Sequence, residues 1–441
     1  MISVEDLYAL YKKCTGITTD SRKIDDGVMF FALKGETFDG NDFAEAALKA
    51  GAKYAVVDRF MLEGTSYRGR KCIVVEDSLK MLQKLAAYHR KQFDIPVIGI
   101  TGTNGKTTTK ELVAAVLSRK YNLVATGGNF NNHIGVPLTL FRLSEKTEMA
   151  VVEMGASAPG EIATLVQISQ PTCGLITCVG KAHLQGFGSF EGVKKTKGEL
   201  YDYLRQKGGR VFYNADNEHL CDMVAHRPGL CLCKYGVKYQ NATVFPATAE
   251  QPFLKMELVY RGQPTTISTH LVGDYNADNV MAALCVGEYF DVPYAEVVKA
   301  IESYVPSNSR SQLLKTKHNT LIIDAYNANP SSMRAALDNF ANTEFPAKIL
   351  MLGDMLELGA DSAAEHMAIL KRALEVAEKV YLVGGEFGAV AKRAVNAADR
   401  VLSFPDILAL KEYMTEHPVE GATILIKGSN GNHMQDVVPA L

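Results

Sequence analysis

The chain has 441 residues, of which 47% are hydrophobic and 22% charged, with a formal net charge of -2 at pH 7. Such a length predicts about three domains. A near-neutral surface argues against a main affinity for nucleic acid or an anionic membrane, and favours a small molecule as partner. In chain order, a first block over 1–93 holds short strands at 28–33, 54–57 and 72–75 and helices at 43–50 and 79–91. A second block over 94–308 alternates apolar strands (96–100, 149–153, 174–178, 211–213) with helices. Continuous apolar runs of this kind mark parallel strands buried on both faces. A more β-rich stretch, 243–270, precedes a helix over 276–290. A third block, 309–441, repeats the alternation with strands at 321–323, 349–352, 380–383 and 424–426. The expected fold is α/β in three domains: a small first domain, a central parallel-sheet domain and a Rossmann-like third domain.

The segment Gly102-Thr103-Asn104-Gly105-Lys106-Thr107-Thr108 lies between the strand at 96–100 and a helix predicted over 110–120. It has the composition of a nucleoside triphosphate cradle. Glycines let the backbone wrap an oxyanion, the following helix aims free N–H groups at it, Lys106 adds charge and Thr107 offers a metal-ligating hydroxyl. A strict P-loop carries Gly at position 100, where this chain has Ile100. In open α/β sheets ligands bind beyond the carboxyl ends of the strands. The second central strand ends at Glu153, and the third leads to His183. Thr107 and Glu153 suit magnesium, a hard cation that keeps several waters, whereas His183 is a softer ligand. In the third block, Asp324, Gly353-Asp354, Gly384-Gly385 and Lys427-Gly428 follow strand ends. Such residues end strands and cap helices everywhere, but four together suggest a site facing the central nucleotide.

Eight cysteines, at 14, 72, 173, 178, 221, 231, 233 and 285, form no C-x-x-C pair and no zinc spacing. They predict reduced thiols in the cytoplasm. The first residues are acidic rather than a basic region followed by an apolar core, and no apolar run approaches the ~20 residues of a membrane span. A cytoplasmic enzyme without membrane insertion is expected.

Thr101 to Thr108, Glu153-Met154-Gly155-Ala156 and Ala182-His183-Leu184 with Phe187-Gly188-Ser189 resemble the Mur ligase family of peptidoglycan synthesis. Three longer segments, 128–137, 324–330 and 353–359, resemble the branch that joins D-alanyl-D-alanine to UDP-N-acetylmuramoyl-tripeptide. The resemblance implies ATP, two magnesium ions and a monomer acting through an acyl phosphate. It places Lys106 on the β and γ phosphates, Thr107 and Glu153 on one magnesium, and His183 on the second. Lys197, eight residues after Ser189, matches a family lysine that is carbamylated and supports the second ion. Asn276 and Asn279 match adenine readers, Arg310 an arginine on the γ-phosphate, and Asp324 a ribose ligand. Thr19, Asp20, Ser21, Arg22, Gly35, Asp39 and Gly40 match the uridine and pyrophosphate segments, and Asn131 and Asn132 a substrate contact. The family's usual Lys-Gly-Ser-Arg is here Lys427-Gly428-Ser429-Asn430, which removes a charge. A sister ligase adding a single amino acid, a folate-glutamylating relative and a nucleotide-switch ATPase remain alternatives at this stage, as does the identity of the tripeptide's third residue.

Overall fold

The computed structural model describes residues 2–59, 71–307, 310–393 and 399–441. Its first sheet is parallel, in the order β1 (Ile17–Thr18), β2 (Met29–Phe31), β3 (Tyr54–Val57), β4 (Cys72–Val74). The central strands are β5 (Val97–Thr101), β6 (Leu123–Ala125), β7 (Met149–Glu153), β8 (Cys173–Ile176), β9 (Arg210–Asn214) and β10 (Cys231–Tyr235). They form a six-stranded parallel sheet ordered β10-β9-β8-β5-β7-β6. Strands β5, β7 and β8 are buried at every residue. Helices cover both faces, so the runs alternate between two apolar cores. Ile98 and Ile100 pack with the helices Lys106–Leu117 and Ala277–Tyr289, while Val97 and Val152 pack against Glu161–Ser169 and Phe190–Lys207.

The β-rich stretch is a small antiparallel sheet, β11 (Thr243–Phe245), β12 (Phe253–Tyr260) and β13 (Gln263–Val272). Its strands alternate buried and exposed positions because only one face meets the core. The third domain has β14 (Gln312–Lys315), β15 (Thr320–Asp324), β16 (Lys348–Gly353), β17 (Lys379–Val383), β18 (Val401–Phe404) and β19 (Thr423–Lys427). Their order is β14-β15-β19-β16-β17-β18, with β14 alone antiparallel. The architecture is therefore α/β with three domains, as the alternation of strands and helices predicts.

One element ties the first domain to the second. The helix Ser78–Arg90, capped by Asp77, packs its apolar side on the first domain's core, where Ile134 and Phe141 of the central domain join Leu7, Leu82 and Leu85. At its end Arg90 is buried and donates to the carbonyls of Phe93, Ile95, Ser169 and Gln170. His89 is buried beside it, taking a bond from the Tyr8 hydroxyl at Nδ1 and meeting the Leu143 carbonyl at Nε2. That pairing fixes the neutral tautomer with its proton on Nε2. Burial accordingly pulls its pKa below the usual histidine value.

The helix after the phosphate loop begins at Lys106, earlier than the expected 110. Three consecutive threonines are weak helix formers, so sequence alone places the start later. Their burial reverses the preference, and the Thr109 hydroxyl is tied to Asn279 Oδ1 at 2.9 Å.

Candidate functional site

The loop 102–105 sits at the carboxyl end of β5, where neighbouring strands β7 and β8 depart on opposite sides. This is a topological switch point, the place where an open α/β sheet leaves a crevice. Gly102 has φ 147° and an added Cβ would lie 2.0 Å from Thr177 Oγ1. Gly105 has φ 77°, with Asn279 Oδ1 2.7 Å from where its Cβ would be. Both glycines are thus required by backbone conformation and by close approach. The Lys106 ammonium folds back onto the loop, donating to Gly102 O at 2.8 Å and Thr103 O at 3.0 Å. Desolvation lowers its pKa below the usual lysine value, with the Arg310 charge adding to the shift against the pull of Glu153.

Glu153 is only 1% exposed and ends β7 beside the loop. One carboxylate oxygen, Oε1, accepts from the Thr107 hydroxyl at 3.1 Å and from Asn131 Nδ2 at 2.8 Å. The other, Oε2, is buried without a hydrogen-bond partner among the described residues. A buried carboxylate oxygen left bare is costly unless a ligand takes it. Lys197, on the helix Phe190–Lys207, is 2% exposed. Among the described residues its Nζ reaches only the Ala156 carbonyl, at 3.4 Å, and stands 5.5 Å from the Phe187 ring centre. Desolvation, with Lys106 as the next contribution, holds its pKa down at about 7. The solvated basic helix end that Lys194 and Lys195 suggest is not where Lys197 lies.

A cavity of about 900 Å³ brings Thr103 to Thr108 and Glu153 together with residues of the third domain, while Lys197 lies outside its lining. The phosphate loop, Asn131, Asn132, Glu153, His183, Asn276, Asn279, Arg310 and Asp324 all line it. Several polar contacts cross between the domains here. Asn329 Nδ2 donates to Asn104 Oδ1 at 2.8 Å, Lys181 Nζ pairs with Glu365 at 2.9 Å, and His183 Nδ1 meets the Glu357 carboxylate. His183 and Glu357 both have positive φ.

The structure refines several expectations. Asn276 does not cap its helix through its side chain. Its amide instead donates to Val272 O and Ser311 Oγ and accepts from Asn279, so its hydrogen bonds are spent inside the protein. Asn279 keeps one amide hydrogen beyond its bond to Asn276. Lys427, at the end of β19, is 2% exposed and bound to Asp324 Oδ2 at 2.5 Å. Asn132 caps the turn into the next helix through Ile134 N and Gly135 N. The first-domain segments lie apart from the cavity, to which that domain gives Leu79 and Gln83. Thr19 to Arg22 follow β1, Gly35 follows β2, and Asp39 caps the turn at Gly40, so all sit along the carboxyl edge of the first sheet. Gly40 is forced by approach, its Cβ falling 2.4 Å from Leu33 O. Arg22 is exposed and forks onto Asp20, whose pKa falls to about 2 because of that hydrogen-bonded pair.

Sequence reasoning gave no role to Gln83, Tyr326, Asn329 or Glu357, all of which line or bridge this site. The last three stand inside segments 324–330 and 353–359, whose length drew notice without revealing which side chains turn inward.

Residues 13–90 match the Mur ligase family catalytic domain, 100–287 the Mur ligase middle domain, and 309–430 the Mur ligase glutamate ligase domain. The chain is 34% identical over 437 residues to the UDP-N-acetylmuramoyl-tripeptide–D-alanyl-D-alanine ligase of Bacillus subtilis, covering 97% of this chain and 93% of that one. It also superposes on crystal structures of MurF from Acinetobacter baumannii (TM-score 0.84, 28% identity, 96% and 92% of the chains) and of MurF ligase from Thermotoga maritima in complex with ADP (0.83, 25%, 96% and 96%).

Proposed function

The chain belongs to the Mur ligase family, and from that premise we propose that it joins D-alanyl-D-alanine to UDP-N-acetylmuramoyl-tripeptide at the expense of ATP. The products are the UDP-N-acetylmuramoyl-pentapeptide, ADP and phosphate. The observation that supports this most is one cavity lined at once by the phosphate loop, Glu153, His183, Arg310 and Asp324. A carboxylate is a poor electrophile. Transfer of the γ-phosphoryl group to it gives an acyl phosphate, which the dipeptide's amine then attacks, expelling phosphate. Negative charge crowds at both steps, so positioned cations and N–H groups provide the catalysis.

In this reading the loop N–H groups and Lys106 hold the β and γ phosphates, and Arg310 meets the γ-phosphate. Asn279 uses its remaining amide hydrogen on adenine, Asn276 fixes Asn279, and Asp324 accepts from ribose while Lys427 holds it in place. Among the described residues no group of three His, Cys, Asp or Glu side chains could hold a metal ion. The donor set nevertheless fits magnesium, which accepts few protein oxygens and completes its shell with phosphates and water. The bare Glu153 Oε2 beside the Thr107 hydroxyl suits one ion, and His183 with a carbamate on Lys197 suits a second. Bound magnesium supplies charge neutralisation on the phosphoryl oxygens.

Carbamylation of Lys197 is supported by its burial, which holds its pKa down at about 7, and by its lack of a carboxylate partner among the described residues. The neutral amine bonds to the carbon of CO2 and releases a proton, giving an anion where a cation was costly to bury. Carbon dioxide depletion should lower activity and bicarbonate restore it, with the dependence steeper below pH 7, where the amine is protonated. Thr19 to Arg22, Gly35, Asp39 and Gly40 hold the UDP end along the first sheet. The acting form is a monomer in the cytoplasm.

The test is phosphate release from ATP. It should require both the UDP-muramoyl tripeptide and D-alanyl-D-alanine, and comparing tripeptides ending in meso-diaminopimelate and lysine assigns the third residue. Phosphate release without either substrate would point to a switch ATPase instead.

A further inference from the structure

Arg310 presents an unusual combination. Its guanidinium carbon lies 3.6 Å from the centre of the Tyr326 ring, a cation–π geometry, and its Nε is buried without a hydrogen-bond partner among the described residues. The nearest carboxylate in sequence to that tyrosine, Asp324, is already bound by Lys427. The Arg310 charge is therefore left for a ligand, and its orientation depends on the aromatic face rather than on a counter-ion. Arg310 and Tyr326 both line the cavity, as does Lys106 of the phosphate loop. Two cations lining one crevice suit a polyanion as its ligand.

We propose that Tyr326 is a positioning residue: its ring holds the Arg310 guanidinium against the terminal phosphate and so gives the site its preference for the triphosphate over the diphosphate. The inference rests on the assignment of Arg310 to the γ-phosphate. Without the ring, the long arginine side chain would return to its many rotamers and reach the phosphate only at an entropic cost.

The experiment measures binding, by titration calorimetry with magnesium, of ADP and of the non-hydrolysable β,γ-methylene ATP. Tyr326→Leu should weaken the triphosphate analogue about tenfold while ADP affinity stays within about twofold, and Tyr326→Phe, which keeps the ring, should behave as the unmodified chain. Adding Tyr326→Leu to Arg310→Ala should cost nothing further for the analogue, because the tyrosine acts through the arginine. Equal loss for ADP and analogue in Tyr326→Leu would overturn the inference in favour of a ring that stacks on the base. Unchanged affinity for both would overturn it as well. If Arg310→Ala leaves the ratio of the two affinities unchanged, the assignment of Arg310 falls first and takes the inference with it; if only Tyr326→Leu leaves it unchanged, the assignment stands and the inference falls.

Discussion

The two joints between the three domains are built from different materials. Between the first and central domains, Arg90 is buried among four carbonyls, His89 is locked between Tyr8 and Leu143, and Tyr11 and Phe141 stack around it. Apolar residues of both domains share one core there. Between the central and third domains Val272 and Phe253 join the third domain's core, but at the cavity the contacts are polar: Asn104 with Asn329, Lys181 with Glu365, His183 with Glu357, and Tyr275 and Asn276 with Ser311. A buried, apolar joint resists opening, whereas tip-to-tip polar contacts exchange readily with water. The difference suits a ligase whose first domain anchors one substrate while the third domain closes over the nucleotide to exclude water from an acyl phosphate.

The sharpest way to break this comparison is at Arg90. Arg90→Met leaves buried carbonyls without donors and should lower the unfolding free energy of the first cooperative transition by about 3 kcal/mol in urea; a loss below about 0.5 kcal/mol would mean the joint does not depend on it. Asn329→Ala removes both the bridge to Asn104 and the capping box of the helix Pro330–Asn342, and about 1–2 kcal/mol should be lost from the third domain's transition by the same measurement.

His89 gives the first joint a pH dependence. Its folded pKa lies below the unfolded value, so the unfolded chain binds a proton that the folded one refuses as pH falls. Stability contributed by the neutral, buried ring is present above the unfolded pKa of about 6.5 and declines as pH drops below it. Melting curves between pH 5 and 8, compared with His89→Gln, should show a shallower pH slope in the variant. The smallest effect is expected at Lys181→Ala, whose exposed pair with Glu365 contributes within about 0.5 kcal/mol of stability. Small-angle scattering should nonetheless show that this variant populates a more open arrangement of the third domain; an unchanged scattering profile would count against a tip-to-tip joint that opens easily.

How much of this was legible beforehand depends on the kind of residue. Strands such as β7 at 149–153 and β3 at 54–57 were readable because burial on both faces leaves an unbroken apolar run. The phosphate loop was readable because its glycines, lysine and threonine act locally, within eight consecutive positions. Thr107 to Thr109 misled about the helix start, since their local preference is weak and burial against Asn279 overrides it.

The sequence by itself determined three α/β units, a phosphate-binding turn at the end of β5, and a set of residues whose likeness to one family named the chemistry. These rest on local backbone demands and on periodic burial, both written in neighbouring residues. Only the tertiary structure decided that Lys197 is buried without a carboxylate, that Glu153 keeps a bare oxygen, that Lys427 belongs to Asp324 and that Arg310 leans on Tyr326. Each of those facts is a relation between side chains brought together by the fold, and charge and hydrogen-bond demand are settled by what surrounds a group in space rather than by its place in the chain.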